Sequence, residues 1–274
     1  MKVALVTGGN KGIGYAIVRA LSKALKEEGV VYLASRDEGR GQEAVQQLKG
    51  EGLQNVDFLQ LDLLNNDHID KAQKYLKEKH GGLDILVNNA AIAFKAAAPE
   101  PDTVQAPVTI ETNVFATLRV CQALFPLLRS HGRVVNVASR GGTSTYSKLS
   151  PELQKRFKSV DTEQGVIDLM NEFISAVNAG EQKKRGWSTS NYGTSKLGLI
   201  ALTRIQGQDI AKDTIRDDIL INSCCPGYVD TDMSSHKGTL TIDQGAETPT
   251  YLALLPPGSK FQGQFFAEKK VYEY

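Results

Sequence analysis

A glycine-rich turn directly behind a short apolar run is the feature that most constrains the fold of this chain. Val3 to Val6 form the run, and Gly8, Gly12 and Gly14 follow with G-x-x-x-G-x-G spacing before an amphipathic stretch. Because glycine has no Cβ, such a turn can be tight, and its backbone can approach a phosphate at the N-terminus of a helix. The pattern predicts a strand, a dinucleotide-binding turn and a helix, although a glycine-rich turn without a ligand remains an alternative.

Short β-branched runs alternate with longer amphipathic stretches along the rest of the chain. Continuous apolar strands between helices are typical of a parallel sheet that is covered on both faces. We expect strands near 2–7, 30–35, 55–61, 84–88, 132–138, 218–225 and 264–267. We expect helices near 12–28, 38–52, 65–80, 108–130, 191–213 and 243–254. The order predicts one α/β domain over 1–274, a doubly wound parallel sheet whose ligand crevice lies beyond the carboxyl ends of the strands.

Composition argues against several other classes of protein. With 32 basic and 31 acidic residues, the net charge of +1 gives no electrostatic reason to expect a nucleic-acid or membrane partner. Three cysteines without C-x-x-C spacing and four scattered histidines predict neither a disulfide framework nor a metal site. No run approaches the roughly 20 apolar residues of a membrane span, and Val3 to Val6 is too short for the core of a signal peptide. A soluble, cytoplasmic protein is the expectation.

Tyr192 and Lys196 lie four residues apart in the sequence NYGTSK. On a helix this spacing places the phenol and the ammonium on one face, where the cation can lower the phenol's pKa from its usual value of about 10. A tyrosine of this kind can give a proton to a carbonyl oxygen. The Tyr-x-x-x-Lys pattern is also common by chance, but its combination with the glycine turn favours a catalytic pair.

With these two motifs the chain resembles the short-chain dehydrogenase/reductase family, and within it the monomeric animal carbonyl reductases. The resemblance runs nearly end to end and includes the segments 88–94 (NNAAIAF), 132–137 (GRVVNV), 224–227 (CCPG) and 245–249 (GAETP). It implies a catalytic set of Asn113, Ser139, Tyr192 and Lys196. In that set Ser139 holds the substrate carbonyl, Lys196 lowers the pKa of Tyr192 and binds the nicotinamide ribose, and Asn113 anchors a water-mediated proton path.

Charge at the end of the second strand indicates which cofactor is used. A carboxylate there would bind the ribose of NAD, but this chain has Arg36, which can bind a 2′-phosphate with help from Arg40 and Lys11. NADPH is therefore favoured. Two alternatives stay open: Asp37 selects NAD, or Arg36 is only a solvated surface charge.

The resemblance implies further cofactor contacts around the same crevice. They are Gly8, Asn10, Gly12, Ile13, Gly14, Asp62, Leu63, Asn89, Tyr192, Lys196, Pro226, Gly227, Val229 and Thr231. Ala91 departs from the glycine that is usual in the family, and its methyl group is expected to crowd the cofactor only slightly.

Together these features predict NADPH-dependent reduction of small-molecule ketones, aldehydes and quinones to alcohols or hydroquinones, with Tyr192 as the proton donor. One alternative is a dedicated ketoreductase for a steroid, a prostaglandin or a pterin. Another is a non-catalytic regulator that binds NADPH, but such a protein would be expected to lose part of the catalytic set, and all four members are present here.

Between Ser139 and Tyr192 lie 52 residues, more than the oligomeric members of the family have. The amphipathic pieces 151–159 and 162–179 predict a helical insertion over about 140–190. In the family this insertion covers helices that otherwise pair between subunits, so we expect a monomer; the alternative is a flexible surface segment. A substrate lid is expected over about 226–245.

The substrate pocket is predicted to involve Ser139, Arg140, Tyr192 and Tyr228. Arg140-Gly141-Gly142 stands where carbonyl reductases more often have bulky apolar residues, and Tyr228 stands where tryptophan is common. We expect the glycines to open volume beside the carbonyl and Arg140 to attract a carboxylate, although Arg140 could instead point into solvent.

Overall fold

One eight-stranded sheet forms the centre of the fold, and the computed structural model describes residues 1–95 and 97–273. The strands are β1 Lys2–Thr7, β2 Gly29–Ser35, β3 Val56–Gln60, β4 Leu83–Asn88, β5 Leu128–Val137, β6 Leu220–Cys225, β7 Phe265–Ala267 and β8 Lys270–Val271. Their order is β3-β2-β1-β4-β5-β6-β7-β8, and only the β7–β8 pair is antiparallel. The direction of winding reverses between β1 and β4, which is where a doubly wound sheet opens its ligand crevice.

Ten α-helices connect the strands in the described part of the chain. They are α1 Gly12–Leu25, α2 Glu38–Gly50, α3 Asn66–His80, α4 Asp102–Ile110, α5 Ala116–Leu124, α6 Arg140–Tyr146, α7 Pro151–Ser159, α8 Glu163–Asn178, α9 Asn191–Ile210 and α10 Ile242–Ala253. A π turn, Glu111–Phe115, joins α4 to α5. No helix among these residues is both long and apolar enough to cross a membrane.

Both faces of the sheet are buried, because neighbouring residues of each strand point to opposite sides. Val6 packs with α1, α2 and α10 on one face, whereas Leu5 packs with α3 and α5 on the other. A third apolar cluster joins α4 and α9 to the helices between β5 and α9. This arrangement confirms the predicted α/β, doubly wound fold, and every predicted strand is present.

The helix predicted over 108–130 was wrong at both ends. It begins at Asp102, is interrupted by the π turn, and ends with a short 3₁₀ turn at Leu127, after which Leu128 already belongs to β5. Pro107 lies inside α4 and lacks the N–H that a helix needs, a feature that normally argues against a helix. Burial of Ala106 and Ile110 against the core outweighs this local cost.

The two amphipathic pieces predicted inside the insertion form helices α7 and α8. Phe157 of α7 and Phe173 of α8 both pack on Trp187, with ring centroids 6.0 and 5.4 Å from it. Trp187 is only 2% exposed. The inserted segment is therefore anchored by an aromatic cluster, which does not fit the alternative of a flexible surface segment.

Candidate active site

The glycine turn between β1 and α1 closes tightly on itself. Gly8 and Gly12 have positive φ angles of 63° and 57°, and a Cβ on Gly14 would lie 2.2 Å from the Gly8 carbonyl oxygen. Lys11, the N-cap residue of α1, makes no side-chain hydrogen bond to the first turn of the helix. The N–H groups at this helix end thus have no capping side chain, and they fit a phosphate group.

Asn89 and Thr7 join the ends of strands β4 and β1. The Asn89 side-chain amide donates to the carbonyl oxygens of Thr7 and Gly8, at 3.0 and 3.2 Å. The Thr7 hydroxyl accepts from the backbone N–H groups of Asn89 and Ala90, both at 3.0 Å. Asn89 therefore stabilises the turn itself, a position consistent with its predicted place beside the cofactor.

Arg36 lies just past the end of β2, and it is exposed. Its guanidinium forms no ion pair with the other described side chains, whereas Arg40 is bound by Asp37 through Nε at 2.9 Å. Hydrogen bonds from the Arg40 backbone and side chain hold the pKa of the Asp37 carboxyl below its usual value. Asp37 is thus engaged as the cap of α2, which argues against the alternative that it selects NAD.

The loop after β6 lies over the glycine turn. Lys11 Nζ is 2.6 Å from Asp232 Oδ2, and a Cβ on Gly12 would be 3.3 Å from Thr231 Cγ2. Val229 is buried and bridges to Leu240, which closes the neck of this loop. Asp232 was not among the predicted residues, and its 221-residue separation from Lys11 left no sequence signal for the pair.

Several other predicted cofactor residues lie along the same sheet edge. Asp62 follows β3 and accepts from the Leu64 backbone at 3.0 Å, while Leu63 is buried. Pro226 and Gly227 follow β6, and Gly227 has a φ of 90°. Asn10 and Ile13 are partly exposed in and beside the glycine turn.

Helix α9 brings Tyr192 and Lys196, the predicted catalytic pair, to the carboxyl end of β5. Its N-terminus is capped by Ser190, whose hydroxyl accepts from the Gly193 backbone at 2.9 Å. Lys196 is 2% exposed, and its Nζ donates to the Val137 carbonyl oxygen at 2.8 Å. Nζ also lies 5.6 Å from the centroid of the Tyr192 ring.

Ser139 reaches Tyr192 through helix α6, which the sequence did not predict. Ser139 caps α6 by accepting from Gly141 N at 3.0 Å, and it also hydrogen-bonds with the Tyr192 phenol. Gly141 and Gly142 weaken the helical signal of α6 in the sequence, and Gly142 allows the helix to approach α9. A Cβ on Gly142 would lie 2.8 Å from the Leu197 backbone nitrogen.

This packing corrects the expectation that both glycines open the substrate pocket. Gly142 is buried against α9, so its missing side chain serves helix packing. Gly141 alone faces the catalytic groups: a Cβ there would be 3.3 Å from Ser139 Oγ and 3.7 Å from Tyr192 Cε1.

The expected lowering of the Tyr192 pKa by Lys196 was wrong for this structure. Burial raises the pKa of Tyr192 to about 12, although its hydrogen bond with Ser139 acts in the opposite direction. Burial also lowers the pKa of Lys196 to about 8. Desolvation disfavours the charged form of each group, which is the phenolate of Tyr192 and the ammonium of Lys196. The phenol consequently carries its proton at neutral pH.

Asn113 lies in the π turn, a local distortion that often marks functional sites. Its amide donates to the Ile92 carbonyl at 2.9 Å and to Ser195 Oγ at 3.0 Å, while its oxygen accepts from Ile92 N at 2.8 Å. Ser195 in turn donates to the Tyr192 carbonyl at 2.7 Å. Asn113 thus ties α9 to the segment after β4. Ser195 was missed, although its place between Tyr192 and Lys196 was a usable signal.

The two remaining substrate candidates, Arg140 and Tyr228, are both exposed to solvent. Arg140 is about half exposed, with Nη1 3.4 Å from Glu268 Oε1. Tyr228 is 53% exposed, and its carbonyl accepts from Thr239 and Leu240.

The cysteines do not join the catalytic set. Cys121, Cys224 and Cys225 are buried free thiols, and burial raises the pKa of Cys121 to about 12. The Cys225 sulfur accepts from Gly227 N at 3.4 Å. Within residues 1–95 and 97–273, His, Cys, Asp and Glu form no cluster able to hold a metal ion.

Comparison with known proteins identifies the family. A sequence model of the short chain dehydrogenase family matches residues 2–151 and 173–239. The chain belongs to the short chain dehydrogenase family. The family's sequence model does not match residues 152–172, which span most of α7 and the first part of α8. This gap is typical of an insertion relative to other family members.

Relatives match over nearly their full length. Carbonyl reductase (NADPH) 1 of Homo sapiens is 48% identical over 274 residues, 99% of this chain and 98% of that protein. The enzyme of the same name from Rattus norvegicus is 49% identical over 271 residues, 98% of this chain and 97% of that protein. The predicted family is thus confirmed.

Two solved structures of reductases are similar to this chain over nearly its whole length. Salutaridine reductase from Papaver somniferum has a TM-score of 0.86 and 29% identity, covering 98% of this chain and all of that chain. Menthone neomenthol reductase from Mentha piperita has a TM-score of 0.79 and 30% identity, covering 97% and 98%.

Proposed function

We propose that this protein is an NADPH-dependent carbonyl reductase that converts ketones, aldehydes and quinones to alcohols or hydroquinones. The observation that carries the proposal is the placement of Tyr192 and the buried Lys196 on one helix, with Ser139 beside the Tyr192 phenol. The full-length match to proteins named carbonyl reductase (NADPH) confirms the predicted reaction class and cofactor.

Tyr192 and Ser139 handle the substrate oxygen. The two hydroxyls lie together and donate to the carbonyl oxygen, which stabilises the negative charge that develops on it. The Tyr192 proton then passes to that oxygen. Because burial keeps the phenol protonated, the donor is loaded before the reaction begins.

Lys196 and Asn113 hold this arrangement in place. Lys196 is anchored to β5 by its bond to the Val137 carbonyl, and its charge stabilises the tyrosinate that remains after proton transfer. Asn113 fixes the first turn of α9 through Ser195. These contacts beside Tyr192 support a place for both residues in the catalytic set.

The uncapped helix end and the free guanidinium of Arg36 fit a phosphate-bearing dinucleotide. When bound, NADPH supplies the hydride that reduces the carbonyl carbon. The glycine turn and the first N–H groups of α1 bind its phosphates, and Arg36 binds the 2′-phosphate with Arg40 and Lys11 nearby. Lys196 binds the nicotinamide ribose. The other proposed contacts are Asn10, Ile13, Asp62, Leu63, Asn89, Pro226, Gly227, Val229 and Thr231.

The substrate enters beside Gly141, with Arg140 and Tyr228 at the rim and 226–245 as the lid. Gly141 places no side chain against Ser139 Oγ and the edge of the Tyr192 ring, which suits planar dicarbonyls and quinones.

The chain acts as one domain and as a monomer. Helix α8 packs on α4 and α9, which supports the view that the insertion covers a surface otherwise used between subunits. A cytoplasmic location is supported by the three free thiols, which suit a reducing compartment. Light scattering at micromolar concentration tests the monomer: a mass near 29.8 kDa is expected, and twice that mass rejects it.

A substrate screen tests the proposed function. Purified protein is assayed for NADPH consumption with isatin, quinones, aromatic aldehydes, prostaglandins and steroids. We expect turnover with several classes and a strong preference for NADPH over NADH. Efficient reduction of one compound alone would support a dedicated ketoreductase instead, and no consumption with any of them would reject the proposal.

A further inference from the structure

Arg140 carries a positive charge on the first residue of α6, between two residues of the candidate site. It stands between Ser139, which caps α6, and Gly141, whose absent side chain would otherwise approach both Ser139 Oγ and the Tyr192 ring. The residue that carries this charge is thus next in sequence to the two positions nearest the reacting carbonyl. About half of the Arg140 side chain is exposed to solvent.

The Arg140 guanidinium is only partly used by the protein. A guanidinium has five N–H donors, and in the described part of the chain that of Arg140 contacts only Glu268, at 3.4 Å. Arg156 offers a contrast, because it binds both oxygens of Glu172, at 3.0 and 2.6 Å. Arg140 therefore keeps donors free for a second carboxylate, which arginine can bind through two parallel hydrogen bonds.

Glu268 belongs to a two-residue turn between β7 and β8 that fixes its backbone. Glu268 and Lys269 have φ angles of 54° and 61°, a left-handed conformation that normally favours glycine or asparagine. Lys269 anchors the turn to α10, through its N–H to Thr248 Oγ1 at 3.2 Å and its ammonium to Glu247 at 2.6 Å. Strain of this kind persists where the surrounding structure enforces it, and it is common at functional positions.

We propose that Glu268 is a specificity-determining residue of the carbonyl reductase reaction. Its carboxylate competes with the carboxylate of an anionic carbonyl substrate for the Arg140 guanidinium, and so it limits the preference for anionic over neutral substrates. The inference rests on the proposed function and names one substrate class, aromatic aldehydes and ketones that carry a carboxylate. An exposed ion pair changes affinity by up to about fivefold, which sets the size of the effect.

The test compares 4-carboxybenzaldehyde with its methyl ester, which differ in charge at a point remote from the aldehyde. The ratio of kcat/KM for the acid to that for the ester is measured in the native protein, Glu268→Gln, Arg140→Met and the double variant. Glu268→Gln should raise the ratio about three- to fivefold, and this gain should vanish when Arg140 is also replaced. Glu273→Gln removes the same charge from an exposed residue near the chain end and should leave the ratio unchanged.

Two results would overturn the inference. An unchanged ratio in Glu268→Gln would show that the carboxylate does not compete with the substrate. An equal rise with and without Arg140 would show a general effect of charge instead of a specific partner. In either case reduction of the methyl ester by the native protein leaves the proposed function standing. Failure to reduce both compounds rejects this inference, and it rejects the proposed function as well only if the substrate screen also shows no NADPH consumption.

Discussion

Two buried cationic side chains lie in or beside strand β5, and they differ in the number of hydrogen-bond acceptors around them. Arg133, within the strand, is 3% exposed and donates to the carbonyl oxygens of Leu255, Gly132 and Pro256 at 2.9 to 3.1 Å. It also binds the Asp218 carboxylate at 2.9 Å. Lys196, at the end of the same strand, is 2% exposed and has a single acceptor, the Val137 carbonyl.

We infer from this difference that Arg133 has a structural role and Lys196 a functional one. The donors of Arg133 bind groups from three segments, so the residue links β5 to the start of β6 and to the chain after α10. Lys196 has three N–H donors, and no described carboxylate pairs with it. A buried charge that is so poorly satisfied costs stability and stays available to a ligand or to a charge formed during reaction.

The largest loss of activity is expected when the Tyr192 phenol, which lies beside Lys196, is removed. Tyr192→Phe removes the proton donor but keeps the ring, so kcat should fall by about 10²–10⁴ while NADPH binding, measured by fluorescence, changes little. Tyr251→Phe on α10 is the matched control and should keep native turnover. More than a few per cent of native activity in Tyr192→Phe would exclude this residue as the proton donor.

Loss of Arg133, whose donors all have partners, should lower the stability of the fold and not the activity directly. Arg133→Met leaves the Asp218 carboxylate with only His131 among its side-chain partners and removes the donor from several carbonyl groups, so the free energy of unfolding should fall by about 3–5 kcal/mol. Urea denaturation measures this. Arg156→Met, which breaks a partly exposed pair with Glu172, should cost less than about 1 kcal/mol. If the free energy of unfolding falls by the same small amount in both variants, Arg133 does not link these segments structurally.

Arg36 provides a third cation for the comparison, because it is exposed and has no carboxylate partner in the described part of the chain. Arg36→Ala should weaken NADPH binding about tenfold through loss of a charge-assisted contact, with little change for NADH. Arg40→Ala should have a smaller effect, since Asp37 already holds Arg40. Equal losses for both cofactors would show that Arg36 does not recognise the 2′-phosphate.

The sequence predicted features that local patterns encode. Continuous apolar runs located all seven parallel strands, and the spacing of apolar residues located α7 and α8. Helix α6 was missed because Gly141 and Gly142 weaken its helical signal, while the contact that needs Gly142 lies on α9, more than 50 residues away.

The site was predicted as a set of residues but not as an electrostatic arrangement. The positions of Tyr192 and Lys196 on one helix could be read from their spacing. The direction of the Tyr192 pKa shift could not, because it depends on how deeply the fold buries the phenol. Two ion pairs, Lys11 with Asp232 and Arg140 with Glu268, join residues far apart in sequence. No local sequence pattern could predict either pair.

The pH dependence of stability tests the account of Lys196 most directly. Because its folded pKa is lowered to about 8 from an ordinary 10.5, the folded state binds fewer protons than the unfolded state between those values. The resulting penalty is fully present below pH 8 and is relieved as pH rises toward 10.5.

Urea unfolding of cofactor-free native protein and Lys196→Met at pH 7 and pH 10 isolates this effect, since other groups cancel in the difference. We expect the native protein to gain about 2 kcal/mol relative to Lys196→Met between the two pH values. A difference that does not change with pH would mean that Lys196 is as well satisfied as Arg133, and would contradict the distinction between the two cations.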